Sequence, residues 1–295
     1  MSVIRTVAVL MGGPSDEREV SLASGRAVAE GLRESGFDVL EIDINGRILV
    51  LPDGIDAVFI ALHGAFGEDG GIQAELSKRG IPYTGSNAEA SRKAFDKITC
   101  KQIMAANDIP TPAYEVLKIG KTCSMGLPVV IKPARQGSSI GIHLVSEDSG
   151  MEAALADAFL YDEQVIAEKY IEGRELTVGI VADEILPIVE IDAPDTWYDY
   201  GAKYSDGTSQ YFVPAPLDET CRRTCEGYAR SLYRAVGCRG LARVDMRYSS
   251  DGSVYVLELN SIPGFTETSM LPKAAVHAGM SFNQLCDRVL RTAAC

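Results

Sequence analysis

The 295-residue sequence predicts a protein of mixed α/β and α+β class, built as three successive units. Three observations predict it. Strand and helix patterns alternate between residues 6 and 79, which implies a parallel sheet with helices on its faces. Two strand patterns joined by a tight glycine turn, then a helix and a strand, fill 128–170 and read as a small α+β layer. Asp251-Gly252, flanked by alternating apolar residues, marks an antiparallel hairpin in the last third. The expected units are 1–91, 92–174 and 175–295.

In chain order, TVAVLM (6–11) reads as a buried strand, followed by a Gly12-Gly13 turn and a helix over about Ser21–Ser35. VLEIDI (39–44) and DAVFIAL (56–62) are the next strands, and Gly70–Arg79 is the next helix. A helix carrying Phe95, Ile98, Ile103 and Met104 stops before Pro110-Thr111-Pro112, since proline cannot continue it. Strands follow at PVVIKP (128–133) and IGIHLV (140–145), then a helix around 150–160 and a strand VIAEKY (165–170). ELTVGIV and ILPIVEI open the last third. Residues 193–215 show neither helical nor strand periodicity; so long a stretch in a compact protein is usually a functional lid or disordered. Its Trp197, Tyr198, Tyr200, Tyr204 and Tyr211 exceed what disorder usually carries, so a lid is expected.

Composition narrows the class. Hydrophobic residues at 46% and charged residues at 23% are ordinary for a globular chain that can bury a core without disulfides. A net charge of -13 lacks the basic stripe of a nucleic-acid surface, so no nucleic-acid partner is expected. The apolar run at 6–11 ends at Gly12-Gly13, too short for a signal segment or a membrane span. Seven scattered cysteines have no zinc-ligand spacing and read as reduced thiols of a cytoplasmic protein with no membrane part.

The sharpest chemical signal is LARVDMRY-SSDGS-VYVLELN (241–260). With Asp251-Gly252 as a two-residue loop, Ser250 pairs with Ser253, Asp245 faces Glu258, and Arg243 faces Asn260. Alternation puts these last four on one face and Val244, Met246, Tyr255, Leu257 and Leu259 on the other. Opposed like charges are unfavourable on a sheet face. A hard cation such as Mg²⁺ suits the Asp, Glu and Asn oxygens; Arg243 could neutralise them instead, or the face could simply be solvated. There is no G-x-x-x-x-G-K-[ST] motif. Lys132 precedes Arg135-Gln136-Gly137-Ser138-Ser139-Ile140-Gly141. That turn could aim backbone N–H groups at a phosphate, and it reads equally well as an ordinary hairpin turn. Glu168-Lys169-Tyr170-Ile171 with Glu175 fits either an adenine and ribose edge or an edge-strand charge pair.

Hairpin, glycine turn, lysine-bearing strand and Glu-Lys edge, in this order, resemble the ATP-grasp superfamily. The resemblance to the D-alanine–D-alanine ligase family is closer and covers essentially the whole chain. It runs through GGPSDEREVSL (12–22), LHGAFGEDG (62–70), PYTGS (82–86), KPARQGSSIG (132–141), YDYGAKY (198–204), CRGLARVD (238–245) and ELNSIPGFT (258–266).

The resemblance implies an N-terminal parallel α/β domain, a small central α+β lid domain and a C-terminal α+β domain, with ATP between the last two. It implies that Lys97 and Lys132 hold ATP phosphates, that Glu168, Lys169 and Ile171 meet the adenine, and that Glu175 meets the ribose. Asp245, Glu258 and Asn260 would bind two Mg²⁺, or Mn²⁺ in their place, with Glu258 bridging. Arg243 and the Gly264 N–H would face a developing oxyanion. Glu17 would hold the ammonium of a first D-alanine, with His63 nearby, and Ser138, Lys203 and Tyr204 would close over it. Ser269 and Met270 would lie at the second D-alanine. A homodimer is likewise implied.

The implied reaction is ATP-dependent joining of two D-alanines through an acyl phosphate, supplying peptidoglycan synthesis. Sister ligases making D-alanyl-D-lactate or D-alanyl-D-serine are the nearest alternative; Lys203-Tyr204 and apolar Met270 favour D-alanine. A carboxylate kinase and a nucleotide-binding module without turnover are more distant ones. Gln136 and Gly201 stand where the family usually has Glu, and Glu267-Thr268 replaces a Ser-His-like pair, so lid and second-substrate contacts are where this chain can differ.

Overall fold

The computed structural model describes residues 4–192 and 210–295. β1 (Thr6–Gly12), β2 (Asp38–Ile44) and β3 (Ala57–Ile60) form a parallel sheet in the order β2-β1-β3. α1 (Arg18–Glu34) packs on one face through Ser21, Ser24, Gly25, Val28, Ala29 and Leu32, a helical stripe that begins with small residues. These let it lie close to β1: a Cβ on Gly25 would come 2.5 Å from that of Met11. α2 (Gly71–Lys78) covers the other face through Ile72 and Leu76.

One helix was expected next; two are present. α3 (Ala88–Phe95) and α4 (Lys97–Ala106) break at Asp96, whose φ of -84° and ψ of 102° are not helical. Its carboxylate accepts from Thr99 N, and a new N-cap of this kind restarts the helix. The restart puts Lys97 and Lys101 one turn apart on a buried face.

The central layer is an antiparallel sheet of β4 (Tyr114–Lys118), β5 (Val129–Pro133), β6 (His143–Val145) and β7 (Gln164–Lys169), in the order β4-β7-β5-β6. α5 (Met151–Ala158) packs on β5 and β6. The strand expected from residue 140 starts only at His143, because Ser138, Ser139 and Gly141 have φ of 48°, 59° and 69°.

The last layer holds β8 (Gly173–Val181), β9 (Glu184–Ile185), β10 (Val189–Asp192), β11 (Gln210–Phe212), β12 (Leu241–Ser249) and β13 (Val254–Asn260). The order is β11-β10-β8-β12-β13, with β9 on β8. Pro187 divides ILPIVEI into β9 and β10, since it brings no ladder N–H. β11 lies inside the segment expected to lack strand. α6 (Glu219–Val236) packs on this sheet through Cys221, Cys225, Ala229, Leu232, Tyr233 and Val236. α7 (Met270–His277) and α8 (Phe282–Leu290) return to the first sheet, so the N- and C-terminal layers share one core around Phe59, Phe265, Leu271 and Leu285.

The β12–β13 hairpin departs from the expected turn. Ser249 and Ser253 close a three-residue loop, with Gly252 at φ +86°, a left-handed position that glycine occupies without strain. Met246, Arg247 and Tyr248 therefore pair with Val256, Tyr255 and Val254. A bulge between Asp245 and Met246 inserts Leu257 and shifts the register back, so Asp245 faces Glu258 and Arg243 faces Asn260. Val254 and Val256 face the core; Tyr255 and Leu257 do not.

Candidate active site

Glu17 ends the loop before α1 and is buried. It occupies the N-cap position without capping the helix; its carboxylate instead accepts a hydrogen bond from Ser138 of the central layer. Gly137 passes so close that a Cβ there would lie 2.6 Å from Glu17 Oε2. His63 follows β3. Its Nδ1 is 3.1 Å from the Ile262 carbonyl and its Nε2 3.1 Å from Ser24 Oγ. A carbonyl only accepts, so Nδ1 carries the proton and Ser24 donates to Nε2. Burial pushes His63 down to about 4, which keeps the imidazole neutral. Glu68, bonded to Gly64 N at 2.9 Å, is driven up to about 8 by burial and by the Glu17 charge.

Glu17, His63, Glu68, Gly137 and Ser138 line a cavity of about 470 Å³ together with Lys97, Arg243, Glu258, Asn260, Gly264, Ser269 and Met270. Gly264 is wedged where a Cβ would lie 3.2 Å from Ser269 Oγ. Ser269 stands at the N-cap of α7 but does not cap it; Thr266 N donates to its hydroxyl.

A second cavity of about 90 Å³ lies between the central and last sheets, lined by Lys132, Glu168, Lys169, Ile171, Glu175, Asp245, Arg247 and Glu258. The β5–β7 register sets Glu168 opposite Val130, which makes Lys132 its diagonal neighbour on the same face. Lys132 Nζ is 3.0 Å and Lys101 Nζ 2.5 Å from the Glu168 carboxylate. Burial would raise Glu168, but the two ammonium groups outweigh it and hold the carboxyl below its ordinary value. Glu175 lies opposite Arg247 across β8 and β12, 3.4 Å away.

Glu258 lines both cavities. Lys97 Nζ sits 3.4 Å from it and donates to the Gln136 carbonyl at 2.5 Å. Asp245 is gripped by Arg243 through both oxygens, at 2.8 and 2.7 Å, and also by Thr177 at 2.6 Å and Asn260 at 3.0 Å.

The family described as "D-ala D-ala ligase C-terminus" matches residues 97–291, and "D-ala D-ala ligase N-terminus" matches 49–86. The chain belongs to the D-Ala–D-Ala ligase family. A D-alanine–D-alanine ligase of Methylacidiphilum infernorum is 45% identical over 97% of this chain and 94% of its own. The crystal structure of a D-alanine–D-alanine ligase from Bacillus anthracis complexed with ATP superposes with a TM-score of 0.87, at 33% identity, over 99% of this chain and 97% of that one. The VanG D-Ala:D-Ser ligase from Enterococcus faecalis gives a TM-score of 0.84 at 30% identity, over 98% and 99%.

In this ligase chain every described residue expected at the site lines one of the two cavities; Lys203 and Tyr204, like most of the expected lid, lie outside the described residues. Glu68, Lys101, Ser24 and Thr177 were not foreseen. Lys101 was legible in principle, one helical turn from Lys97; Ser24, Glu68 and Thr177 are set by contacts distant in sequence. Among the described residues no three His, Cys, Asp or Glu gather as a metal cluster. Two carboxylates and one amide fit Mg²⁺, which usually takes one or two carboxylates and fills the rest of its shell with water and substrate phosphate oxygens. Among the described residues no helix is long and apolar enough to cross a membrane.

Proposed function

We propose that this protein joins two D-alanines at the expense of ATP, in the cytoplasm and as a homodimer, supplying D-alanyl-D-alanine to peptidoglycan synthesis. The observation that carries the reading is Glu258, which borders the cavity holding Glu17 and the cleft holding Lys132 and Glu168. A phosphoryl group leaving the cleft enters the larger cavity beside it. We assign the units 1–91, 92–174 and 175–295 to substrate binding, the lid and catalysis.

A carboxylate is a poor acyl donor because oxide is a poor leaving group. Its attack on the ATP γ-phosphorus makes an acyl phosphate and releases ADP, and attack by the second amine on the acyl carbon expels phosphate. Lys97 and Lys132 orient the phosphates, Glu168, Lys169 and Ile171 hold the adenine, and Glu175 the ribose. Asp245, Glu258 and Asn260 would hold two Mg²⁺, or Mn²⁺, which neutralise phosphoryl charge when bound. Glu17 binds the first ammonium, with His63 beside it as a neutral imidazole. Arg243 and the Gly264 N–H stabilise the tetrahedral oxyanion; one such donor is worth roughly 3–4 kcal/mol. Ser138 closes over Glu17 and excludes water that would hydrolyse the acyl phosphate, a task shared with Lys203 and Tyr204.

At the second-substrate end, Ser269 and Met270 line the cavity with Thr266 and Thr268. The Thr266 hydroxyl is 2.8 Å from that of Ser269 and 3.1 Å from that of Thr268, and it is apolar Met270 beside them that favours a methyl side chain over D-serine. Incubation with ATP and D-alanine should yield dipeptide, ADP and phosphate, with L-alanine nearly inert. Equal turnover of L-alanine, or acyl phosphate without dipeptide, would overturn the reading.

A further inference from the structure

Residues 134–142 link β5 to β6, and the base of this loop is fixed within its own layer. Arg135 donates to Asp162 from its backbone N at 2.9 Å and from its guanidinium at 3.0 and 2.6 Å. The tip crosses to the N-terminal layer at two adjacent acidic residues. Ser138 donates to Glu17, and Gln136 Nε2 donates to Asp16 Oδ2 at 3.3 Å. The Gln136 amide is oriented for this, because its Oε1 accepts from Gly137 N at 3.1 Å and so turns its NH₂ towards Asp16. Lys97 holds the Gln136 carbonyl from below.

The two anchors differ in what they face. Glu17 lines the cavity, whereas Asp16 is exposed and outside its lining. An ammonium entering the cavity meets Glu17 beneath the Ser138 contact, whereas Asp16 lies outside the cavity. The loop also needs holding: Ser138 and Ser139 both sit in the left-handed region, which a non-glycine residue adopts only at a cost.

We propose that Asp16 and Gln136 form a latch that sets how far the loop rests closed over Glu17, and that it works because residue 136 is a neutral amide facing a carboxylate. The pair positions the loop and takes no part in the chemistry. A carboxylate at 136 would stand beside Asp16 and Glu17, with Lys97 and Arg135 as the neighbouring cations, and would push the loop outward.

The test is hydrogen exchange of the 136–141 amides in the ligand-free full chain, in parent, Gln136→Glu, Asp16→Asn and the double variant. Gln136→Glu should exchange about threefold faster or more at low ionic strength, a difference that salt should shrink because the pair is exposed. The double variant should return close to the parent. A fold defect unrelated to charge would respond neither to salt nor to removal of the second charge. Parent-like exchange in Gln136→Glu at low salt overturns the latch, as does failure of Asp16→Asn to restore protection in the double variant.

The consequence for turnover rests on the ligation reading: KM for the first D-alanine should rise in Gln136→Glu and recover in the double variant. A parent that makes no dipeptide would sink that reading, while the exchange experiment would still decide the latch.

Discussion

Asp245 and Glu258 face each other across β12 and β13, yet each carboxylate has a cation of its own. Arg243 holds Asp245 at 2.7 Å, and Lys97 lies 3.4 Å from Glu258. Repulsion between them is thereby offset before any metal binds. Glu258→Gln without nucleotide should melt near the parent, within about 1 kcal/mol, the scale of one partly exposed ion pair. Mg-nucleotide should stabilise the parent by about 2.7 kcal/mol at a hundred times its dissociation constant. The variant should lose most of that gain and nearly all turnover. Paired thermal melts check it; a variant that melts far below the parent yet keeps its nucleotide shift would make Glu258 a structural residue.

Ser138→Ala removes the hydroxyl that reaches Glu17 and leaves the loop backbone in place. One hydrogen bond is worth about 1–2 kcal/mol, so KM for the first D-alanine should rise by roughly five- to thirtyfold, with the melting temperature unchanged. Steady-state kinetics with D-alanine varied at saturating ATP read this directly. An unchanged KM would mean that loop closure does not depend on this contact.

What was legible in the sequence was pattern with a short reach. The parallel first sheet followed from alternation of strand and helix, and the face shared by Arg243, Asp245, Glu258 and Asn260 followed from the strand period. That face survives a turn other than the two-residue one the sequence predicts: the three-residue loop and the bulge at Leu257 offset each other, and nothing near Asp251-Gly252 announces the bulge. The split at Asp96 is a strong N-cap signal hidden inside a continuous helical pattern. The pairing of Ser138 with Glu17, 121 residues apart, and the burial of Glu68 exist only once three layers are packed together.

Lys101 tests whether Glu168 is held as an anion. Lys101 is fully buried, 2.5 Å from Glu168 and 2.6 Å from Thr111 Oγ1. Lys101→Met leaves Glu168 with Lys132 alone as its buried cationic partner. Breaking a buried pair from one side costs about 3–5 kcal/mol, so the variant should be strongly destabilised. Lys101→Met with Glu168→Gln should recover part of that loss. Chemical denaturation of the three proteins decides it; if the double variant is no more stable than Lys101→Met alone, the two residues are not coupled.

His63 and Glu68 should tilt the pH dependence of stability in opposite directions. Glu68 is raised from 4.5 to about 8 by burial first and the Glu17 charge second. The folded state therefore binds a proton that the unfolded state releases above about 4.5. The stability this contributes is complete below that pH and is lost as pH rises through about 8, by at most about 1.4 kcal/mol per pH unit. His63 is lowered from 6.5 to about 4, chiefly by burial. Its contribution is complete above 6.5 and is lost as pH falls through about 4. Between about 4.5 and 6.5 the two slopes oppose each other, so the parent should look nearly flat there with respect to this pair. Glu68→Gln keeps the shape and has no charge to bury. Its melting temperature relative to the parent should climb steadily with pH from about 5 to about 8 and level off above. His63→Gln should differ from the parent mainly on the acid side, where it no longer has a buried imidazole to protonate. Melts of the three proteins across that range separate the two slopes. A difference curve for Glu68→Gln that stays flat from acid to neutral pH would mean Glu68 is already ionised in the folded protein. In that case Glu17 would share its end of the cavity with a second full negative charge.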